Sequence, residues 1–284
     1  MANLLKGAPV ATALDKQTKS AVETLLRGGV VPTLAILRVG ERDDDMAYER
    51  GAMKRCAKLG IAVKNVLLPS GVSQVELMSA IEKLNADEKV HGVLMLRPLP
   101  KTLDEKAACA ALDPKKDVDG VTATSMAGVY SGSGEGFPPC TAQSCMELLN
   151  YYGVNLTGKR AVVIGRSLVI GKPVAMLLTA TDATVTVCHT KTADTPSLAR
   201  HADILVVAVG RAESIGTECF HSGQTVIDVG ISWSEEKQKL VGDVNFEAAL
   251  PVVSAITPVP AGVGSVTTAV LAAQVVRAAG RAAI

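Results

Sequence analysis

The chain has 284 residues, 48% of them hydrophobic and 20% charged, with a formal net charge of +1. That make-up excludes intrinsic disorder, supplies a substantial core and gives length enough for two domains. Lys and Arg are scattered, so there is no electrostatic motive for binding nucleic acid or an anionic membrane, and neither partner is expected.

No apolar run approaches the ~18 residues that a membrane helix needs. The start, "MANLLKGAPVATALDKQTKS", has one early lysine and no sustained apolar core, which argues against a secretory signal. Six cysteines (56, 109, 140, 145, 188 and 219) form no C-x-x-C pair, and four histidines show no ligand spacing. Free, mostly buried thiols in a reducing cytoplasm are the expectation, without disulfides or a metal site.

In chain order, "TLAILRVG" (33–40) predicts a strand, followed by a helix over roughly 44–59. "IAVKNVLL" (61–68) predicts a second strand. The helix after it starts at Ser73, with Glu76 completing a capping box. "VHGVLMLRPLP" (90–100) predicts a third strand, stopped by prolines. A loop-rich stretch, "DPKKDVDGVTATSMAGVYSGSGEGFPPC", then has the Gly and Pro density of a boundary, with the break near 138–146. Alternation resumes with a strand at 161–164, a helix at 172–180 and a strand at 184–188. A helix near 194–200 and strands at 203–210 and 225–231 follow. The last twenty residues predict an alanine-rich helix that can pack back onto the first lobe. Strands alternating with helices imply parallel sheets, so the expected fold is α/β in two lobes with a cleft between them. The expected division is 1–140 as one domain, joined by the helix at about 265–284, and 141–264 as the other.

The stretch "AVVIGRSLVIGKPVAMLL" (161–178) reads as strand, glycine turn and helix, yet it departs from G-x-G-x-x-G. Ser167 and Ile170 stand where the second and third glycines would be, and Arg166 sits inside the turn. A plain connector is the competing reading. Gly165 lets a phosphate approach the backbone, and Lys172 and Pro173 open a helix whose N-terminus favours an anion. A dinucleotide fold for NAD carries an acid about 20 residues on, at the end of the next strand. Here that strand ends Cys188, His189, Thr190, Lys191, Thr192, with no acid before Asp194. Hydroxyls and cations admit a 2′-phosphate that a carboxylate would repel, and Arg166 has the fork of donors to grip it. NADP is therefore the expected cofactor, with NAD as the alternative.

In the other half, "PKKDVDGVT" places Asp117 and Asp119 in a loop ending at Gly120. It is either a solvated turn or a carboxylate ready to accept hydrogen bonds from an amine-bearing heterocycle. "ITPVPAGVGSVTTA" (256–269) is a rigid rim able to approach a ligand, or a connector; Pro258 and Gly262 are its candidate substrate contacts. Tyr48, one of eight aromatic residues, lies near the start of a helix behind Asp43–Asp45 and can either stack on a planar substrate or sit in the core.

Eight blocks in order resemble the methylenetetrahydrofolate dehydrogenase/methenyltetrahydrofolate cyclohydrolase family: "PKKDVDG", "PPCTAQS", "VVIGRSLVIGKPVA", "ATVTVCHTKT", "ADILVVAVG", "VIDVGI", "LVGDV" and "ITPVPAGVG". In that family the cofactor turn reads G-R-S and then G-K-P, which accounts for the unusual spacing. The resemblance implies a folate-binding catalytic lobe and a Rossmann-type lobe in a cytoplasmic homodimer. It also implies reversible hydride transfer from 5,10-methylenetetrahydrofolate to NADP in one-carbon metabolism. It assigns Gly165, Arg166 and Ser167 to the cofactor phosphates, Thr190 to the adenosine phosphate, and Gly210 and Ile231 to the remaining cofactor contacts, Ile231 on the nicotinamide side. It assigns Asp119 to the pterin and Tyr48 to stacking on the folate ring, the two residues expected to serve catalysis.

Three departures from the family pattern stand out. The rim reads "AGVGSV" where the family more often has "GGVGPM", so Ala261, Ser265 and Val266 differ, with altered affinity expected. The family's Y-x-x-x-K helix carries the lysine that hydrolyses the methenyl bridge, but one turn after Tyr48 this chain has Ala52. The supporting glutamine of "VQLPLP" is Leu96 in "MLRPLP". Lys54 is expected to face away, Arg55 to be a poor base, and Arg97 to point to the opposite side of its strand from Leu96. The expectation is a dehydrogenase with weak or absent cyclohydrolase activity; a bifunctional enzyme using a different base is the alternative. Another NADP dehydrogenase and a non-catalytic folate or nucleotide sensor are the remaining readings.

Overall fold

The computed structural model describes residues 1–283. In its first half, strand β1 (Asn3–Leu4) leads into helix α1 (Gly7–Arg27), and β2 (Thr33–Val39) into α2 (Asp43–Leu59). Three acids occupy the first turn of α2, where they oppose the helix dipole, and Gly60 at φ 81° ends it. Strand β3 (Ala62–Leu68) precedes α3 (Gln74–Ala86), which the Ser73–Glu76 capping box starts. Strand β4 spans only Gly92–Met95, shorter than the run 90–100, because Pro98 and Pro100 cannot extend a ladder. Helices α4 (Glu105–Ala111) and α5 (Ala123–Ser131) complete this half.

Helix α6 (Cys140–Tyr151) leads to β5 (Arg160–Ile164), α7 (Gly171–Thr179), β6 (Thr184–Cys188), α8 (Thr195–Arg200) and β7 (Ile204–Val207). Strand β8 (Thr225–Asp228) is followed by a hairpin of β9 (Ser232–Ser234) and β10 (Lys239–Val241). A short α9 (Phe246–Ala249), β11 (Ala255–Ile256) and α10 (Thr267–Ala282) close the chain.

The chain forms two compact units. Unit 1 comprises Met1–Thr12 and Thr141–Thr267; unit 2 comprises Ala13–Cys140 and the segment from Thr268 onward. The first twelve residues thus leave the segment 1–140, because β1 pairs in parallel with β11. Unit 1 holds a six-stranded parallel sheet in the order β1-β11-β8-β7-β5-β6. Its core packs Val162, Ile164, Leu205, Val207, Val226 and Ile256. Unit 2 holds a three-stranded parallel sheet, β3-β2-β4. In it β2 is central, and Leu37, Leu77, Ile81, Val93 and Met95 are among the core residues. Buried parallel strands read as continuous apolar runs, and β4 and β7 do so, whereas the equally buried β2 and β8 carry Arg38 and Asp228.

Candidate cofactor and substrate sites

In unit 1, β5 lies between β6 and β7, with Ile164 paired to Cys188 on one side and to Val207 on the other. The chain order reverses there, and in open parallel sheets ligands bind beyond the strand ends at such a point. Gly165 stands at that place with φ 124°, and a Cβ on it would overlap the Ala208 carbonyl. Gly171 likewise has no room for a Cβ, because the Gly165 carbonyl presses on it. Both glycines are fixed by the tightness of the turn.

Between them, Arg166, Ser167, Leu168 and Val169 are exposed. The Ser167 hydroxyl accepts the Ile170 N–H at 3.1 Å, and the Ser167 carbonyl accepts that of Lys172 at 3.0 Å, so the loop is folded onto the start of α7. Arg166 makes no hydrogen bond or ion pair with any described residue. Beside it, the Gly165 N–H donates to the Cys188 carbonyl at 2.9 Å, and a tight turn follows Cys188. In that turn His189 donates its N–H to the Thr192 hydroxyl at 2.9 Å, and Lys191 donates its own to His189 Nδ1 at 3.1 Å. Thr190 and Lys191 remain exposed. Exposed cations and a hydroxyl after neighbouring strands, beside a glycine turn and a helix start, fit a phosphorylated dinucleotide.

Gly210, at φ 69°, follows β7, and Ile231 follows β8 with 61% of its surface exposed. An isoleucine so exposed at a strand's carboxyl end is available to an apolar ring. The rim 257–262 is built from main chain: Gly262 is buried against the Pro258 carbonyl, and Gly7 donates to the Ala261 carbonyl at 2.8 Å. Ala261 adopts φ 81°, a region that suits glycine. Pro258 is half-buried.

In unit 2 the two aspartates of the DVDG loop have separate duties. Asp117 is fully buried and accepts the N–H groups of Val121 at 2.9 Å and Thr122 at 2.8 Å, so it is consumed in holding the loop. Asp119 is half-buried and accepts the Cys140 N–H at a longer 3.3 Å. Burial holds its carboxyl above the usual carboxylate range, against the pull of Cys140 and of the Arg97 guanidinium. Gly120, at φ 65°, is packed against Pro139 and Phe137 with no room for a side chain.

Tyr48 is half-buried on α2, whose buried residues are Asp45, Glu49, Ala52, Cys56 and Leu59. Ala52 is 1% exposed and Leu96 is 6% exposed. Neither can titrate. Among nearby cations, Lys54 is exposed, and Arg55 is committed to Asp15 at 2.6 Å and to Thr268 at 2.8 Å. Arg97 lies 3.5 Å from Glu105, which also accepts the Leu99 N–H at 2.7 Å.

A charged layer beneath α2 is not foreseen from the sequence. Arg38 on β2 bonds Glu49 at 2.6 Å, with both side chains nearly buried. Arg42 reaches the Pro98 carbonyl at 2.9 Å, fixing the segment after β4. Burial raises the Asp45 carboxyl, and Arg42 opposes that rise. An acid three residues from an arginine or a tyrosine is visible in sequence, but its burial is not.

The model of the tetrahydrofolate dehydrogenase/cyclohydrolase catalytic domain matches residues 5–119, and that of the NAD(P)-binding domain matches residues 139–283. Among curated proteins, the bifunctional protein FolD of Clostridioides difficile is 46% identical over 275 residues, covering 97% of this chain and 96% of that protein. The FolD of Carboxydothermus hydrogenoformans is 47% identical over 279 residues, covering 98% of this chain and 97% of its own. The crystal structure of the Campylobacter jejuni bifunctional enzyme FolD superposes with a TM-score of 0.96 at 36% identity, covering 99% of both chains. A Trypanosoma brucei methylenetetrahydrofolate dehydrogenase-cyclohydrolase, solved with NADP cofactor and an inhibitor, matches with a TM-score of 0.92 at 36% identity, covering 99% of this chain and 98% of that one.

Proposed function

The chain belongs to the tetrahydrofolate dehydrogenase/cyclohydrolase family, and from that premise we propose how its residues divide the family's two activities. It is an NADP-dependent methylenetetrahydrofolate dehydrogenase. It oxidises the methylene bridge of 5,10-methylenetetrahydrofolate to the methenyl form. NADP supplies the hydride acceptor for this reaction. The substrate's nitrogen lone pairs stabilise the cation that develops at the carbon, so the protein's task is alignment of two rings rather than proton transfer.

In this reading unit 1 is the cofactor unit. Arg166, Ser167 and Thr190 hold phosphates, Gly165 and Gly210 let backbone approach the cofactor, and Ile231 packs beside the nicotinamide. Unit 2 is the folate unit, where Asp119 accepts from the pterin amine and Tyr48 stacks on the ring. A cytoplasmic homodimer is part of the same reading and rests on the family resemblance; light scattering on the purified chain tests the dimer.

The second half of the proposal is that hydrolysis of the methenyl bridge is weak or absent. The observation that carries it is the buried, non-titrating pair Ala52 and Leu96 at the lysine and glutamine positions. Hydrolysis needs water activated and a proton moved, which a positioned acid–base group accelerates by roughly 10²–10⁴-fold. The relatives are bifunctional proteins, which favours a second reading, in which another base serves. Asp45 is the group that reading needs: it is three residues before Tyr48 on α2, buried, and held above the usual carboxylate range. The deciding experiment follows NADP and NAD reduction with methylenetetrahydrofolate, then decay of the methenyl product, in the wild type and in Asp45→Asn. Reduction of NADP without enzyme-dependent decay supports the proposal. Decay that Asp45→Asn abolishes establishes the second reading instead.

A further inference from the structure

Two buried acids of unit 1 take no part in the reaction outlined above. Asp228 ends β8 and Asp243 follows β10; they are 3% and 0% exposed. Asp228 Oδ1 accepts the N–H groups of Gly230 and Asp243, each at 3.0 Å, and its Oδ2 accepts that of Val244 at 2.9 Å. Asp243 Oδ2 accepts from Val209 at 2.6 Å and Gly210 at 2.9 Å, while its Oδ1 accepts from Arg211 at 2.9 Å. The two acids therefore act in series. Asp228 holds the backbone of Asp243, and Asp243 holds the loop after β7.

The packing is reciprocal as well. A Cβ on Gly242 would overlap the Asp228 carboxylate, and one on Gly230 would overlap that of Asp243. Each acid is pressed against the glycine that neighbours the other's segment. The Asp228 N–H donates to the Thr257 hydroxyl at 2.8 Å, which ties the rim residue next to Pro258 to the same centre. The loops so held carry Gly210 and Ile231.

We propose that Asp228 and Asp243 are positioning residues for the cofactor: their linked carboxylates shape the Val209–Arg211 and Val229–Ile231 segments that receive NADP, and a proton taken up by Asp228 relaxes both. This inference rests on the NADP reading of unit 1. Two ionised acids cannot share one dry site without cost, and a proton on one of them relieves it. Burial pushes the Asp228 carboxyl up to about 7, helped by the Asp243 charge and opposed by the N–H groups of Val244, Asp243 and Gly230. Asp243 is the charge that faces the Asp228 carboxyl, the neutral Thr257 hydroxyl meets only the Asp228 main chain, and the nearby Glu213 and Lys237 are paired with each other. A neutral carboxyl accepts hydrogen bonds more weakly than a carboxylate. The clamp is therefore tight above neutrality and loose below it.

Trp233, the chain's single tryptophan, lies in β9 two residues beyond Ile231 and is 54% exposed. It reports on this segment without any cofactor. The test is the intrinsic fluorescence of the full cofactor-free protein from about pH 5 to pH 9, beside NADP affinity across the same range. The wild type should show a transition near neutrality, with NADP binding ~3–10-fold weaker on the acid side, the size expected when a charge-assisted hydrogen bond becomes a neutral one. Asp228→Asn should lose the transition and bind NADP at the weaker value throughout, and Asp243→Asn serves as a second variant should the first not fold. A transition that persists in both variants belongs to another group and overturns the proposal. A flat wild-type titration overturns it equally. Failure of the wild type to bind NADP at any pH would count against the cofactor reading, while the fluorescence still decides the clamp.

Discussion

Ala52 follows Tyr48 by one turn of α2, and its methyl group is buried with Glu49 and Cys56 on the inward side of the helix. Residues so spaced share a helix face, so one turn beyond Tyr48 a buried methyl group stands where the family resemblance expects an acid–base side chain. The side chain that would make or move a proton is absent at that position. Restoring it is the direct gain-of-function test. Ala52→Lys combined with Leu96→Gln should raise methenyltetrahydrofolate hydrolysis by at least ~10-fold, the low end of acid–base contributions, and leave NADP reduction within a few-fold. A folded double variant with no gain would show that these two positions do not separate the activities.

Arg166 presents an exposed guanidinium with no described partner, beside a turn that lacks any acid. Arg166→Ala should weaken NADP by about 1.5–3 kcal/mol, roughly 10–150-fold, because a charge-assisted contact to the 2′-phosphate is lost. NAD, without that phosphate, should change little. Equal losses for the two cofactors, measured as kcat/KM ratios, would remove Arg166 from the specificity assignment.

Asp119 should bind folate as the carboxylate, and burial raises its pKa. As pH falls, Asp119 takes up its proton earlier than an ordinary aspartate, so the contact to the pterin amine is lost at a higher pH than an unperturbed aspartate would lose it. KM for methylenetetrahydrofolate should therefore rise on acidification while KM for NADP, governed elsewhere, follows a different profile. Asp119→Asn should have a raised KM that no longer varies with pH in this way. A variant with wild-type KM and profile would contradict the role.

Much of this is legible in the amino-acid sequence. The capping box at Ser73 and Glu76, the α2 and α7 spans and the strands around Gly165 follow from apolar runs and their stop signals. Strand β4 is shorter than its apolar run because the ladder ends at Met95, ahead of the prolines that mark the end of the run. The attachment of Met1–Thr12 to unit 1 was invisible, since the two-residue strand β1 is defined only by its partner β11. At the sites, "DVDG" did not say which aspartate was structural; that needed the N–H groups of Val121 and Thr122 on Asp117. The Asp228–Asp243 pair was hidden for a similar reason. Each acid reads as a strand end, and their linkage exists only through backbone donors brought together by folding.

Ala261 is a cost that the chain carries at its rim. Its φ of 81° lies where an L-residue is strained, and the family more often has glycine there. Ala261→Gly should stabilise the fold by about 1 kcal/mol through relief of that strain, offset in part by the greater freedom of glycine when unfolded. The change in denaturant midpoint at constant m-value measures it. A destabilised variant would mean that the Ala261 methyl makes contacts worth more than the strain.

On the proposed reading, this family member keeps hydride transfer and performs little of the hydrolysis. One measurement addresses it most directly: the same enzyme preparation, assayed for NADPH formation from methylenetetrahydrofolate and for enzyme-dependent decay of methenyltetrahydrofolate, expressed as a ratio of turnover rates. With Ala52 and Leu96 in place, NADPH should form at ordinary enzymatic rates while methenyl decay stays close to the buffer rate. Hydrolysis at a rate comparable to NADP reduction would contradict the account.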